Sequence, residues 1–166
     1  MWKIAIASAL AIVAARAFAQ GGGDCNASDP DMAIGGCTAI IESGTDDPNA
    51  RGIAYEKRGL AYEKKGLHDR AIGDQTTAIA VRQSADAYVN RGIVYYRTRE
   101  YIMAHSDFTK AIELRPTMDR AYYDRGMVFE ALGRGEHAIE DYRAALRINP
   151  GHQAARQRLA ALRASP

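Results

Sequence analysis

The chain has 166 residues, with 22 Lys and Arg against 20 Asp and Glu, 47% hydrophobic residues and two cysteines. That size and mixture fit one folded domain, and a net charge of +2 without a basic stripe interleaved with aromatics argues against nucleic-acid binding. The cysteines are not spaced CxxC or CxxCH, which argues against a thioredoxin-like redox site and covalent haem attachment.

The chain opens with MWKIAIASALAIVAARAFAQ. Lys3, the apolar run over residues 4–15 and the Ala17-Phe18-Ala19 end predict a secretory signal over 1–19, cleaved after Ala19, and hence a periplasmic or secreted protein. The run is short for a membrane span and Arg16 interrupts it, so an uncleaved anchor is the weaker reading. No stable membrane span is expected after cleavage. Removing Lys3 and Arg16 leaves 20 basic residues against 20 acidic ones, a chain near neutrality.

Residues 20–50 form an N-terminal segment holding both Cys25 and Cys37. An oxidising compartment favours joining them in a structural disulfide, with free thiols as the other reading. Gly22-Gly23-Asp24 lacks the small and apolar residues of a lipoprotein signal. The stretch AIGGCTAII, residues 33–41, reads as a lone second helix of the repeating unit that follows, its partner helix replaced by glycines and polar residues. A Cys25–Cys37 bond would draw the incoming chain over the face left bare. ESGTDDPNARG, around 42–52, is expected to be a loop.

Three segments then superimpose. AYEKRGLAYEKKGLHDRAIGDQTTAIA, AYVNRGIVYYRTREYIMAHSDFTKAIELRP and AYYDRGMVFEALGRGEHAIEDYRAALRINP have anchor glycines Gly59, Gly92 and Gly126, spaced by 33 and 34 residues. Four residues before each glycine stands Tyr55, Tyr88 or Tyr122, and three after it Tyr62, Tyr95 or Phe129. Twelve after it comes Ala71, Ala104 or Ala138, and nineteen after it Ala78, Ala111 or Ala145; Pro116 and Pro150 close two units. The pattern of small and large residues closely resembles the tetratricopeptide repeat family. The resemblance implies an all-α superhelical solenoid: units at 51–84, 85–118 and 119–151, the half-unit in front and a capping helix over 152–166 behind.

Physical reasoning supports the same arrangement. The aromatics of each first helix fall seven apart, on one face, which predicts that the face is buried. A glycine on the first helix and an alanine on the second let the two backbones cross closely. Gly66, Arg99 and Gly133 occupy one position, seven after the anchors, where a helix end favours a left-handed residue. Arg58, Arg91 and Arg125 precede the anchor glycines, and Asp74, Asp107 and Asp141 follow them by fifteen. Pairing within a unit satisfies all three, whereas pairing between units strands Arg58 and Asp141; a structural clasp is preferred over a ligand-binding role.

The family resemblance places the first helices along a concave groove that recognises peptides. The exposed positions carried over are Ile53, Glu56, Leu60 and Glu63, then Val89, Asn90, Ile93, Tyr96 and Arg97, then Arg120, Tyr123, Asp124, Met127 and Glu130. Tyr96, Tyr123, Met127 and Ile93 stand outside the small-and-aromatic pattern and are expected to be the apolar binding residues, packing against neighbouring helices being the bland alternative. Of the basic and amide clamp that holds C-terminal carboxylates in chaperone-binding members, only Asn90 and Arg120 match in type; Glu56, Leu60 and Asp124 depart from it. A peptide of mixed charge is therefore the expected partner. The four histidines fall at unrelated offsets, and no metal signature, triad order or phosphate loop occurs, so neither a cofactor, a metal nor catalysis is expected. The alternative function is a scaffold for envelope assemblies that uses the convex face or the ends.

Overall fold

The computed structural model describes residues 24–164; the expected leader at 1–19 lies outside them. The described residues form α1 (Pro30–Glu42), α2 (Pro48–Lys64), α3 (His68–Arg82), α4 (Ala85–Arg97), α5 (Tyr101–Leu114), α6 (Asp119–Ala131), α7 (Gly135–Ile148) and α8 (Gln153–Ala164). Helix α2 packs on α3, α4 on α5 and α6 on α7, with α1 against α2 and α8 against α7. Successive first helices also touch, α2 with α4 and α4 with α6, which puts them on the inner side of the stack. The chain is an all-α solenoid of helix pairs.

The helix starts follow from local chemistry. Asp29 and Asp47 cap α1 and α2, their carboxylates accepting from the Met32 and Asn49 amides at 2.9 Å, and Pro30 and Pro48 take the first helical turn. Pro48 corrects the expected loop over 42–52. With φ fixed by proline and Asp47 as its cap, α2 begins at residue 48, and the connection shrinks to residues 43–47. Inside each pair the turn ends in a left-handed residue: Gly66 (φ 72°), Arg99 (φ 65°) and Gly133 (φ 71°). The next amide then reaches back, Leu67 to Tyr62, Glu100 to Tyr95 and Arg134 to Phe129, at 2.8–2.9 Å. Gln83, at the position that Pro116 and Pro150 fill in the later units, is also left-handed at φ 41°. It makes the first connection short and accounts for the spacing of 33 residues between Gly59 and Gly92.

The core refines the expected glycine–alanine crossing. The alanines at both repeat offsets are wholly buried. The glycines face the residue sixteen positions on: a Cβ on Gly92 would lie 2.7 Å from the Phe108 ring, and on Gly126 2.6 Å from the Tyr142 ring. Those rings are 0% exposed, and burying one contributes about 2 kcal/mol. In the first unit Gln75 replaces the ring, its Nε2 donating to the Glu56 carbonyl at 2.9 Å while its buried Oε1 has no partner.

The flanking aromatics are not the buried face the spacing predicts. Five of the six are half-buried, and Phe129 alone is buried. They hold the clasp arginine between them: Arg58 sits 5.4 and 5.8 Å from the Tyr55 and Tyr62 rings, Arg91 5.6 and 5.9 Å from Tyr88 and Tyr95, Arg125 5.8 and 5.9 Å from Tyr122 and Phe129. Each guanidinium then donates two bonds of 2.8–2.9 Å to the aspartate of its own unit, Asp74, Asp107 or Asp141. Those bonds raise the guanidinium pKa above its ordinary value. A fifth contact ties the units together: the remaining Nη1 donates to Thr38, Thr76 or Thr109 of the preceding second helix at 3.0, 2.9 and 3.2 Å. Thr76 and Thr109 share the offset of seventeen from their glycines, so the signal for this strap is present in the sequence.

At the front of the array, Cys25 and Cys37 are joined in the structure with their Cα atoms 4.5 Å apart. Cys37 is fully buried on α1, and the bond folds residues 24–29 against the bare side of α1 and α2.

Candidate functional site

Because the units superimpose, side chains at one offset on α2, α4 and α6 form rows across the inner side. The row after the glycine is apolar: Leu60, Ile93 and Met127. Leu60 is 39% exposed, while Ile93 and Met127 are half-buried. On one side of it runs the row Lys57, Asn90, Asp124, and on the other Glu63, Tyr96, Glu130. The groove thus has an apolar floor and polar banks.

The banks are largely self-neutralised. Glu63 pairs with Arg97 of the next unit, Glu130 with Arg158 of α8 at 3.4 Å, and Glu56 lies 3.9 Å from Arg82. Glu130 also accepts from the Tyr142 hydroxyl. Asp124 is 4% exposed, and among the described residues its one ion-pair partner is Arg120, at 3.4 Å. Burial pushes its carboxyl up to about 6, against the opposing pull of Arg120.

The structure sorts the candidate residues into three kinds. Leu60, Arg97 and Arg120 are exposed, and so is Ile53. Glu56, Glu63, Asn90, Ile93, Tyr96, Tyr123, Met127 and Glu130 are partly accessible. Val89 and Asp124 are buried, at 1% and 4% exposure, which corrects their placement as open groove positions. Val89 turns into the core formed with Phe108, Ala104 and Ala111, whereas Glu56 and Tyr123 at the same offset stay partly accessible. The aromatics expected to bind also pack against neighbouring rings. Tyr96 lies 5.6 Å from Tyr101, and Tyr123 is wedged 5.7 Å from Tyr142 and 4.8 Å from His152. They are walls of the groove, held in place by the second helices and the cap.

Two concavities open on the inner side. One is lined by Tyr96, Met127, Glu130, Ala131 and Arg158. The other, about 240 Å³, lies at the front, between residues 25–33 and α2. Among the described residues no cluster of His, Cys, Asp and Glu could hold a metal ion, and no helix is long and apolar enough to cross a membrane.

The tetratricopeptide repeat models match residues 85–118 and 119–152. The rat serine/threonine-protein phosphatase 5 is 32% identical over 133 residues, 76% of this chain and 27% of that protein. The chain spans only 9% to 27% of the length of the curated relatives it matches first. Among solved structures, MamA superimposes with a TM-score of 0.71 at 29% identity, over 81% of this chain and 77% of MamA. The second such domain of human RPAP3, solved with the HSP70 peptide SGPTIEEVD, gives 0.68 at 29% identity, over 72% of this chain and 100% of that domain.

Proposed function

This chain is a tetratricopeptide-repeat protein, and on that premise we propose that it holds an extended or helical segment of a protein partner in the groove lined by α2, α4 and α6. The observation that carries the reading is the continuous apolar row Leu60, Ile93, Met127 between two polar banks. The partly exposed row gains by being covered, and the banks offer hydrogen bonds to a peptide backbone. With Glu56, Asp124 and a paired Arg120 at positions where the chaperone-binding clamp needs free basic or amide groups, a C-terminal carboxylate is not the ligand. The role is binding rather than catalysis.

The compartment we propose, the periplasm or the exterior, is supported by the amino terminus and the cysteines. A leader over 1–19 would deliver the protein to the periplasm or the exterior, where the Cys25–Cys37 bond is stable. A second reading has one observation in its favour: Ile102 and Met103, at 72% and 49% exposure on α5, form an apolar spot on the second-helix side that a scaffold contact could use.

Leu60→Ser/Met127→Ser tests the groove without touching the clasp. Partner capture from native extract should be lost in this variant at unchanged helicity. Retention of the same partner would move recognition to the Ile102 side or the ends.

A further inference from the structure

The front pocket has a composition unlike the rest of the groove. Its floor is apolar, from Leu60, Ala61 and Ala33, and its two charged lining groups are both cations, Lys57 and Lys64; no carboxylate lines it. The lysines stand seven apart on α2, two turns, and so on one face. Lys57 donates to Asn26, which fixes it over the mouth, whereas the exposed Lys64 makes no ion pair among the described residues. Elsewhere on the inner side Glu56, Glu63, Asp124 and Glu130 each face an arginine, whereas the carboxylates nearest this pocket, Asp24, Asp29 and Asp31, bond to Asn26, to the α1 cap and to Lys65 and do not enter its lining.

The outer wall is Cys25, Asn26 and Ala27, the loop that the bond to Cys37 pins down. The disulfide therefore shapes the pocket as well as closing the front of the array. We propose that this pocket is the anchoring subsite for an acidic residue in an extended segment of the protein partner. Its carboxylate lies between Lys57 and Lys64, the neighbouring apolar side chain rests on Leu60 and Ala61, and the segment runs on along Ile93 and Met127. The proposal rests on the groove reading and gives it a direction, acidic residue at the front.

The probe is an acetylated, amidated pentapeptide of alternating Glu and Leu, titrated to millimolar concentration into the oxidised, ¹⁵N-labelled protein, beside its Gln–Leu counterpart. The Glu–Leu peptide should shift the amides of Ala27, Lys57, Leu60 and Lys64. Lys57→Ala/Lys64→Ala should weaken it roughly three- to ten-fold, the range for two solvent-accessible charge pairs, and reduction at retained helicity should weaken it too. Silence at those amides, equal shifts with the Gln–Leu peptide or indifference to the lysine variant overturns the proposal. If either peptide shifts only Ile93, Tyr96 and Met127, the groove reading stands and the subsite falls. Equal affinity for glutarate alone would reject a peptide as the occupant.

Discussion

Replacing Arg91 by alanine removes the most connected side chain of the middle unit. The Arg91 side chain is 16% exposed and that of Asp107 6%, and the fork between them is two bonds of 2.8 Å. Without the guanidinium, Asp107 keeps a charge in a largely desolvated place, which costs about 3–5 kcal/mol when one partner of a buried pair is lost. The variant also loses the 2.9 Å bond to Thr76, about 1 kcal/mol, and the two ring contacts. Asp107→Ala should cost less, about 2 kcal/mol, because Arg91 retains Thr76 and some access to water. The double variant strands no charge, so the cycle should show a coupling of about 2 kcal/mol. Urea unfolding followed by circular dichroism at 222 nm, for the wild type and three variants, measures it. A coupling below about 0.5 kcal/mol would refute the clasp as a stabilising element.

Three further outcomes follow from the same geometry. Arg99→Gly relieves an exposed left-handed residue at φ 65° and should stabilise by about 1 kcal/mol in the same urea assay; a loss of stability would contradict it. Asp124 has a folded-state pKa of about 6 against an ordinary 3.8, so its burial costs nothing below both values and the stability it withholds grows as pH rises between them, to about 3 kcal/mol above pH 6. Asp124→Asn should then gain stability at pH 7.5 and none at pH 3.5, and a gain independent of pH would refute the assignment. Gln75→Phe places in the first unit the ring that Phe108 supplies in the second and removes an unpartnered buried oxygen; its melting temperature should rise by the equivalent of about 1 kcal/mol.

The repeat was legible because stacking imposes the same demand on each unit, so glycine, alanine and the Arg–Asp fork recur at fixed offsets. Arg99 could be placed in a left-handed turn from Gly66 and Gly133 alone. What sequence reasoning missed lies in contacts that are not uniform or that cross units. The Thr38, Thr76 and Thr109 straps join neighbouring units, and the ring under each glycine was hidden because Gln75 interrupts the aromatic pattern in the first. The groove list erred at Val89 and Asp124 because an aligned offset gives the side of a helix and not its burial: Glu56 and Tyr123 share the offset of Val89, and Lys57 and Asn90 that of Asp124, yet all four stay partly accessible. For Tyr96 and Tyr123 the alternative of packing against neighbours holds in part, Tyr101 and His152 lying against them while both stay partly accessible. At the front, the covering of the bare face by a Cys25–Cys37 bond was legible, but the pocket was not, since its lining joins residues 25–33 to Lys57, Leu60, Ala61 and Lys64 of α2.

Site-specific photocrosslinking tests the central claim most directly, with a benzophenone side chain placed at Leu60, at Met127 or at Ile102, the first two on the inner side and the third 72% exposed on α5. A partner in the groove predicts one shared adduct from Leu60 and Met127 and none from Ile102. An adduct from Ile102 alone would contradict the account and give the binding role to the outer face.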